Sequence, residues 1–183
     1  RPGTFDAESR TVEVVAATQT PVARRDMSGP FSEVLEVSER AVDLSQIEGA
    51  PVLDTHNRFT LKGVIGRVEA ARIEGGELRA RLRFSAREEV AGVIQDVADG
   101  ILSRVSVGYT VQEIEDSDTR AADGGRVKRA TRWTPREVSL VAIPADSNAK
   151  VRNSNMTDDN TAPAAPSAGQ RIGGTPAAPA PAQ

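Results

Sequence analysis

Between Val64 and Phe84 the chain carries a period of two so regular that only a sheet can satisfy it. In Glu77–Phe84 the residues Leu78, Ala80, Leu82 and Phe84 point one way, and Glu77, Arg79, Arg81 and Arg83 point the other. One face is built to be buried and one to be wetted. Ahead of it, Glu74-Gly75-Gly76-Glu77 supplies two glycines where a tight hairpin needs positive φ. A chain that contains such a hairpin must supply further strands to cover its apolar face.

Those strands can be read on either side. Thr11–Ala17 is rich in β-branched residues, and Phe31–Val37, Arg126–Trp133 and Glu137–Ile143 are further strand segments. Ala50–Leu53 is a short extended piece ending at Asp54-Thr55-His56, and Asp43–Ile47 suits one helical turn. Pro21–Pro30 reads as a turn-rich loop, and Asp116–Gly125 as a polar, variable one. Ser85-Ala-Arg-Glu88 has the form of a capping box, and Val90, Val93, Ile94 and Val97 follow at helical spacing to Gly100. The spacing predicts one firm helix over about 86–99. The chain then enters a strand on which Val105, Val107, Tyr109 and Val111 share the apolar face, leaving Arg104, Ser106, Gly108 and Thr110 on an open one.

The expected fold is a β-rich α+β domain over residues 1–152: six or seven strands forming a mostly antiparallel, partly closed β-barrel with that one helix. More than half of residues 161–183 are Ala or Pro, so 153–183 reads as a linker or disordered tail. The first residue is Arg, and the last lies inside this low-complexity run. Both ends read as cuts in a longer polypeptide.

Composition removes several classes of chemistry. Without cysteine there is no disulfide framework, thiol nucleophile or cysteine zinc site, and a single histidine, His56, excludes any mechanism needing two. The 23 basic and 26 acidic residues show no basic run interleaved with aromatics, so no nucleic-acid partner is expected. No apolar run approaches the roughly 20 residues of a membrane span, and there is no signal-peptide pattern. A soluble protein without metal or cofactor is expected.

What remains is serine chemistry. A serine hydroxyl needs a neighbouring base to take its proton, and that base gains from a third group that fixes its tautomer. Ser106 is a candidate nucleophile and His56 a candidate base. Glu137, opening the last strand, and Asp54, two residues before His56, are rival third members. Each also has an ordinary reading as a solvated or capping side chain.

Four blocks sharpen this: Leu53-Asp-Thr-His56, Val64-Ile-Gly-Arg-Val68, Asp99-Gly-Ile-Leu-Ser-Arg-Val-Ser-Val-Gly-Tyr109 and Glu137-Val-Ser-Leu-Val-Ala-Ile-Pro-Ala-Asp146. In this order, over about Ala50–Val151, the chain resembles the phage prohead proteases. These are capsid-maturation serine peptidases distantly related in fold to the herpesvirus assemblins. The resemblance implies Ser106 as nucleophile and His56 as base, and its last block offers Glu137 as third member; the second histidine that assemblins use there is missing, so an acid fills the role or the enzyme works as a dyad. Backbone N–H groups near Gly108, or the Arg104 guanidinium, are candidate oxyanion or substrate-positioning groups, with a solvated strand arginine the plainer reading of Arg104. The resemblance further implies an endopeptidase that cleaves scaffold segments of the major capsid protein, and itself. It would self-associate inside an assembling procapsid, in the host cytoplasm. The alternative is a non-catalytic scaffold or assembly module of the same fold.

Overall fold

The computed structural model describes residues 2–152; the Ala/Pro-rich stretch 153–183, expected to be a linker, lies outside the described residues. Nine strands form the sheet: β1 (Thr11–Ala17), β2 (Val22–Asp26), β3 (Gly29–Leu35), β4 (Pro51–Asp54), β5 (Val64–Glu74), β6 (Glu77–Phe84), β7 (Val105–Asp116), β8 (Arg126–Leu140) and β9 (Lys150–Val151). Their order is β2-β3-β8-β4-β5-β6-β1-β9, with β7 paired to β8 off this path.

The expected mostly antiparallel, partly closed barrel is not what forms. The sheet is open and mixed, because β8 is long enough to serve three neighbours. β7 pairs antiparallel with it from Lys128 to Leu140. That occupies one edge, so β3 (at Arg126–Ala130) and β4 (at Val138–Leu140) lie in succession along the other, both parallel to β8. Between them Asp43 N donates to Trp133 O and Trp133 N to Ala41 O, so residues 41–43 fill the gap. At the far end, β9 meets the β7 side only through a lone bridge, Arg104 with Lys150. One bridge is not a ladder, and the strand path ends there.

Four further expectations change. The helix α1 covers Ala91–Ala98, not 86–99, preceded by a single 3-10 turn over Glu88–Val90. The capping box does not form: the Ser85 hydroxyl accepts from Arg87 N, the Arg87 guanidinium turns to Val64 O, and Arg87 stays extended. The helix end does follow the glycine, with Gly100 at φ 77° and Ile101 N reaching back to Asp96 O. Pro21–Pro30 holds β2 and the turn into β3 instead of a loop. The two segments expected around Thr134 and Pro135 are one strand, β8. Pro135 is tolerated there because it sits opposite Tyr109 at a register shift.

The hairpin β5–β6 forms with Gly75 and Gly76 at φ 61° and 75°. Its buried side, Leu78, Ala80, Leu82 and Phe84, packs with Val12 and Val14 of β1, Val105 of β7 and Trp133 and Val138 of β8. Arg79, expected on the wet face, is 7% exposed and held by Glu74 and Glu77 at 2.5 and 2.8 Å. Trp133 is fully enclosed, its indole N–H donating to Glu36 O at 2.8 Å.

Tyr109 stands edge-on to Trp133, with ring centroids 5.6 Å apart. Its hydroxyl donates to Glu33 and accepts from Arg24 Nη2 at 3.1 Å, joining β7 to the β2–β3 hairpin. Burial, and the hydrogen bond that the neutral phenol gives Glu33, push the Tyr109 pKa above its ordinary value of 10.0; the Arg24 guanidinium opposes this. A group whose pKa is raised on folding contributes stability below its unfolded pKa and loses it as pH climbs through the folded one. Tyr109 is the chain's sole tyrosine, so ultraviolet titration of tyrosinate is unambiguous. The midpoint should lie above that of free tyrosine, with Glu33→Gln lowering it and Arg24→Met raising it. A midpoint unmoved by Glu33→Gln would show that this contact does not exist in solution.

Candidate active site

β4 ends against β8, and the chain must turn at once. Thr55 N donates to Leu140 O at 2.9 Å, continuing the parallel pairing by one residue. Thr55 and His56 then adopt φ of 49° and 58°, left-handed values that L-residues avoid and that are rarest of all for a β-branched threonine. Asn57 N closes the turn on Asp54 O at 2.8 Å. Two successive left-handed residues cost free energy and persist only where their surroundings hold them. Here the hold comes from β8, where Ser139 Oγ accepts the His56 amide at 3.2 Å.

The turn sets the His56 ring against Glu137. His56 Nδ1 lies 2.7 Å from Glu137 Oε1, with the imidazole 46% exposed and the carboxylate 12%. A carboxylate only accepts, so Nδ1 carries the proton in the neutral ring. Nε2, which makes no hydrogen bond among the described residues, is left as the free basic nitrogen. Of the two rival acids, Glu137 meets the histidine. Asp54 turns its carboxylate to the Thr55 hydroxyl at 2.7 Å.

Gly108 makes room for the Glu137 carboxylate. It pairs with Glu137 across β7–β8, and a Cβ built on it would fall 2.8 Å from both Cγ and Cδ of Glu137, and closer still to Oε1. The glutamate lies in the space that the glycine leaves. Arg104 is not turned to the site: it is exposed, and its guanidinium donates to Ser147 O at 3.0 Å.

Ser106 pairs directly with Ser139, two residues from the Gly108–Glu137 pair, and so shares their face of the sheet. That face is not open as expected. Ser106 is 9% exposed, and its hydroxyl makes no hydrogen bond to His56 or to any other described residue. Glu137 is the diagonal neighbour of Ser106 in this ladder, a spacing of roughly 7–8 Å that a long side chain can span.

Two hollows flank this strip. One, of about 360 Å³, is lined by Leu53, His56, Phe59, Gly108, Tyr109, Arg136 and Glu137. The other, about 30 Å³, lies at Ser106 with Ala16, Ala17, Val22 and Leu35 around it, and Tyr109 forms a wall of both. A larger hollow of about 520 Å³, among Arg10, Arg67, Arg83 and Arg87, shares no residue with either. Among the described residues no group of three or more potential ligands could hold a metal ion, and no helix is long and apolar enough to cross a membrane.

Sequence reasoning missed Ser139. It stands two residues after Glu137, so a period of two puts both on one face of β8. That signal was present, but nothing in it said that His56 would arrive above.

Over 131 residues, 70% of its length, the chain is 40% identical to the major capsid protein of Halomonas phage phiHAP-1. The match covers 21% of that protein, so this chain spans about a fifth of the relative's length. No family model and no solved structure matches. The chain is thus similar to one segment of a phage major capsid protein.

Because Glu137 occupies the place of a Gly108 side chain, Gly108→Ala should displace the glutamate and leave the fold standing. With one histidine in the protein, the Nδ1 proton held by a carboxylate gives a single low-field imidazole resonance. The expected outcome is loss of that resonance in Gly108→Ala, with Trp133 fluorescence and thermal unfolding near those of the parent. Retention of the resonance would show that the two side chains can coexist and that the glycine is incidental.

Proposed function

We propose that this chain is a serine endopeptidase module serving phage capsid assembly. The observation that carries the reading is the 2.7 Å contact of His56 Nδ1 with Glu137, which orients the imidazole and leaves Nε2 free, with Ser106 on the adjoining strand. In the reaction, Nε2 takes the Ser106 hydroxyl proton as Oγ bonds to the scissile carbonyl carbon. It then returns the proton to the departing amine, and water attacking through the same base releases the acyl group. Glu137 holds the ring in the tautomer that can do this. Ser106 must come within hydrogen-bond reach of Nε2 for the first step, a contact that often closes only when substrate binds. Arg104 is committed to Ser147, so backbone N–H groups beside Gly108 are the remaining oxyanion donors.

The matched region is a fifth of the relative, which is consistent with such a module being carried on the same polypeptide as a capsid protein. A scaffold segment of that capsid protein is the proposed substrate, cut within the procapsid in the host cytoplasm. Covalent attachment would present it at high effective concentration.

A second reading, a non-catalytic assembly module, has two observations in its favour. The relative's name is that of a capsid protein, and Ser106 is buried without a bond to His56. By itself the comparison with the relative supports this coarser role more directly than proteolysis.

A fluorophosphonate probe separates the readings. Labelling at Ser106, abolished in His56→Ala, is expected of the enzyme; a folded protein that stays unlabelled leaves the assembly module. Nucleophile and base act as a unit, so Ser106→Ala and His56→Ala should each abolish cleavage of a capsid-protein substrate, the double variant being little worse. Glu137→Gln should lower turnover far more than Asp54→Asn, because only Glu137 reaches the ring. The opposite ranking would move the orienting role to Asp54.

A further inference from the structure

We propose that Ser139 is the positioning residue of this site: its one hydroxyl holds both the carboxylate that orients His56 and the strained backbone that carries it. The inference rests on the reading of His56 as base, and it adds a fourth residue to that arrangement.

The geometry is a closed ring of hydrogen bonds. The Ser139 hydroxyl donates to Glu137 Oε2 at 2.6 Å, and Glu137 Oε1 meets His56 Nδ1 at 2.7 Å. The His56 amide returns to Ser139 Oγ at 3.2 Å. A hydroxyl has one donor and two acceptor sites, so it fills both roles at once. A carboxylate in that place would only accept, and an alkyl side chain would do neither. Ser139 is fully buried on β8 and paired on both sides, by β4 and by β7, so its Oγ is a fixed point. Glu137 is paired on one side only, and His56 on neither. Glu137 lies across a glycine, and His56 sits on an exposed turn at φ 58°. Without the hydroxyl, Oε2 would lose a partner and could rotate away. The amide would lose the acceptor that keeps the turn left-handed.

The same reasoning excludes Ser139 as the nucleophile. Its proton is already given to Glu137, and it has no exposed surface through which a substrate could reach it.

The test uses Ser139→Ala in the full chain, read in three ways. Circular dichroism and Trp133 fluorescence should report a folded protein. The low-field Nδ1–H resonance of the sole histidine should broaden or vanish through exchange with water, as it should in Glu137→Gln. Turnover of a capsid-protein substrate should fall on the order of a hundredfold through kcat, with KM nearly unchanged, as expected of a small misplacement of the base. In the unsubstituted protein the His56 amide should be protected from deuterium exchange although its turn is exposed, which tests the inference even if Ser139→Ala does not fold. Should the parent cleave nothing, the protease reading falls, while the resonance and the amide protection still report on Ser139. An unchanged resonance in folded Ser139→Ala, or an unprotected His56 amide in the parent, would overturn the proposal.

Discussion

Everything in this structure hangs on the pairing of strand β8 along both its edges. Fifteen residues from Arg126 to Leu140 take β7 on one side, and β3 and β4 on the other. A strand with both ladders filled has no free edge and few ways to shift register. That rigidity passes to what β8 presents: Trp133 toward the core, Glu137 and Ser139 toward the turn that ends β4. The elements that approach β8 are held by it; the turn at Thr55 and His56 is left-handed because β8 supplies the acceptors.

The local grammar of the strands was legible in the residues. Alternation from Glu77 to Phe84, two glycines at the hairpin and the Gly100 stop each state a local preference that the packed structure also satisfies. What the residues did not state was who pairs with whom. Parallel contacts of β3 and β4 with β8 join segments about ninety residues apart, and no short-range pattern encodes such a partner. Those two contacts turn an expected antiparallel, partly closed barrel into an open mixed sheet. The capping box failed for a related reason. The Ser85 amide that Glu88 would have capped donates to Ile65 O at 2.8 Å and the Arg87 guanidinium reaches Val64 O, so tertiary bonds outweigh a capping preference of about 1 kcal/mol.

The site divides in the same way. His56 stood out as the sole histidine, Ser106 as a hydroxyl at mid-strand, and Glu137 as an acid opening a strand. Their chemistry could be guessed from residue type alone. Glu137 was the third member that the family resemblance implied, but residue type alone did not choose it over Asp54: the contact depends on a turn with two left-handed residues, for which neither Thr55 nor His56 has a preference. Gly108 was singled out for the backbone N–H groups near it, and nothing in the sequence said that the space its missing side chain leaves would be filled by Glu137. Ser106, placed by alternation on a solvated face, is covered because the end of β1 and the β2–β3 hairpin bring Ala16, Ala17, Val22 and Leu35 around it.

The distance along the chain from His56 to Glu137 has a consequence for timing. The two residues are 81 positions apart, and the ring that joins them closes only when β8 docks beside β4. Long-range parallel pairing is among the slower events of folding, because the loop entropy must be overcome before the contacts repay it. On a ribosome, β1 to β7 would emerge with His56 and Ser106 already made and the imidazole without its carboxylate. Such a chain still lacks β8, and with it Glu137 and Ser139. The contact between His56 and Glu137 is thus absent throughout synthesis of the first seven strands and forms only once β8 is made and docks. On the proposed reading, the base would stay without its orienting acid for as long as its own domain is half made.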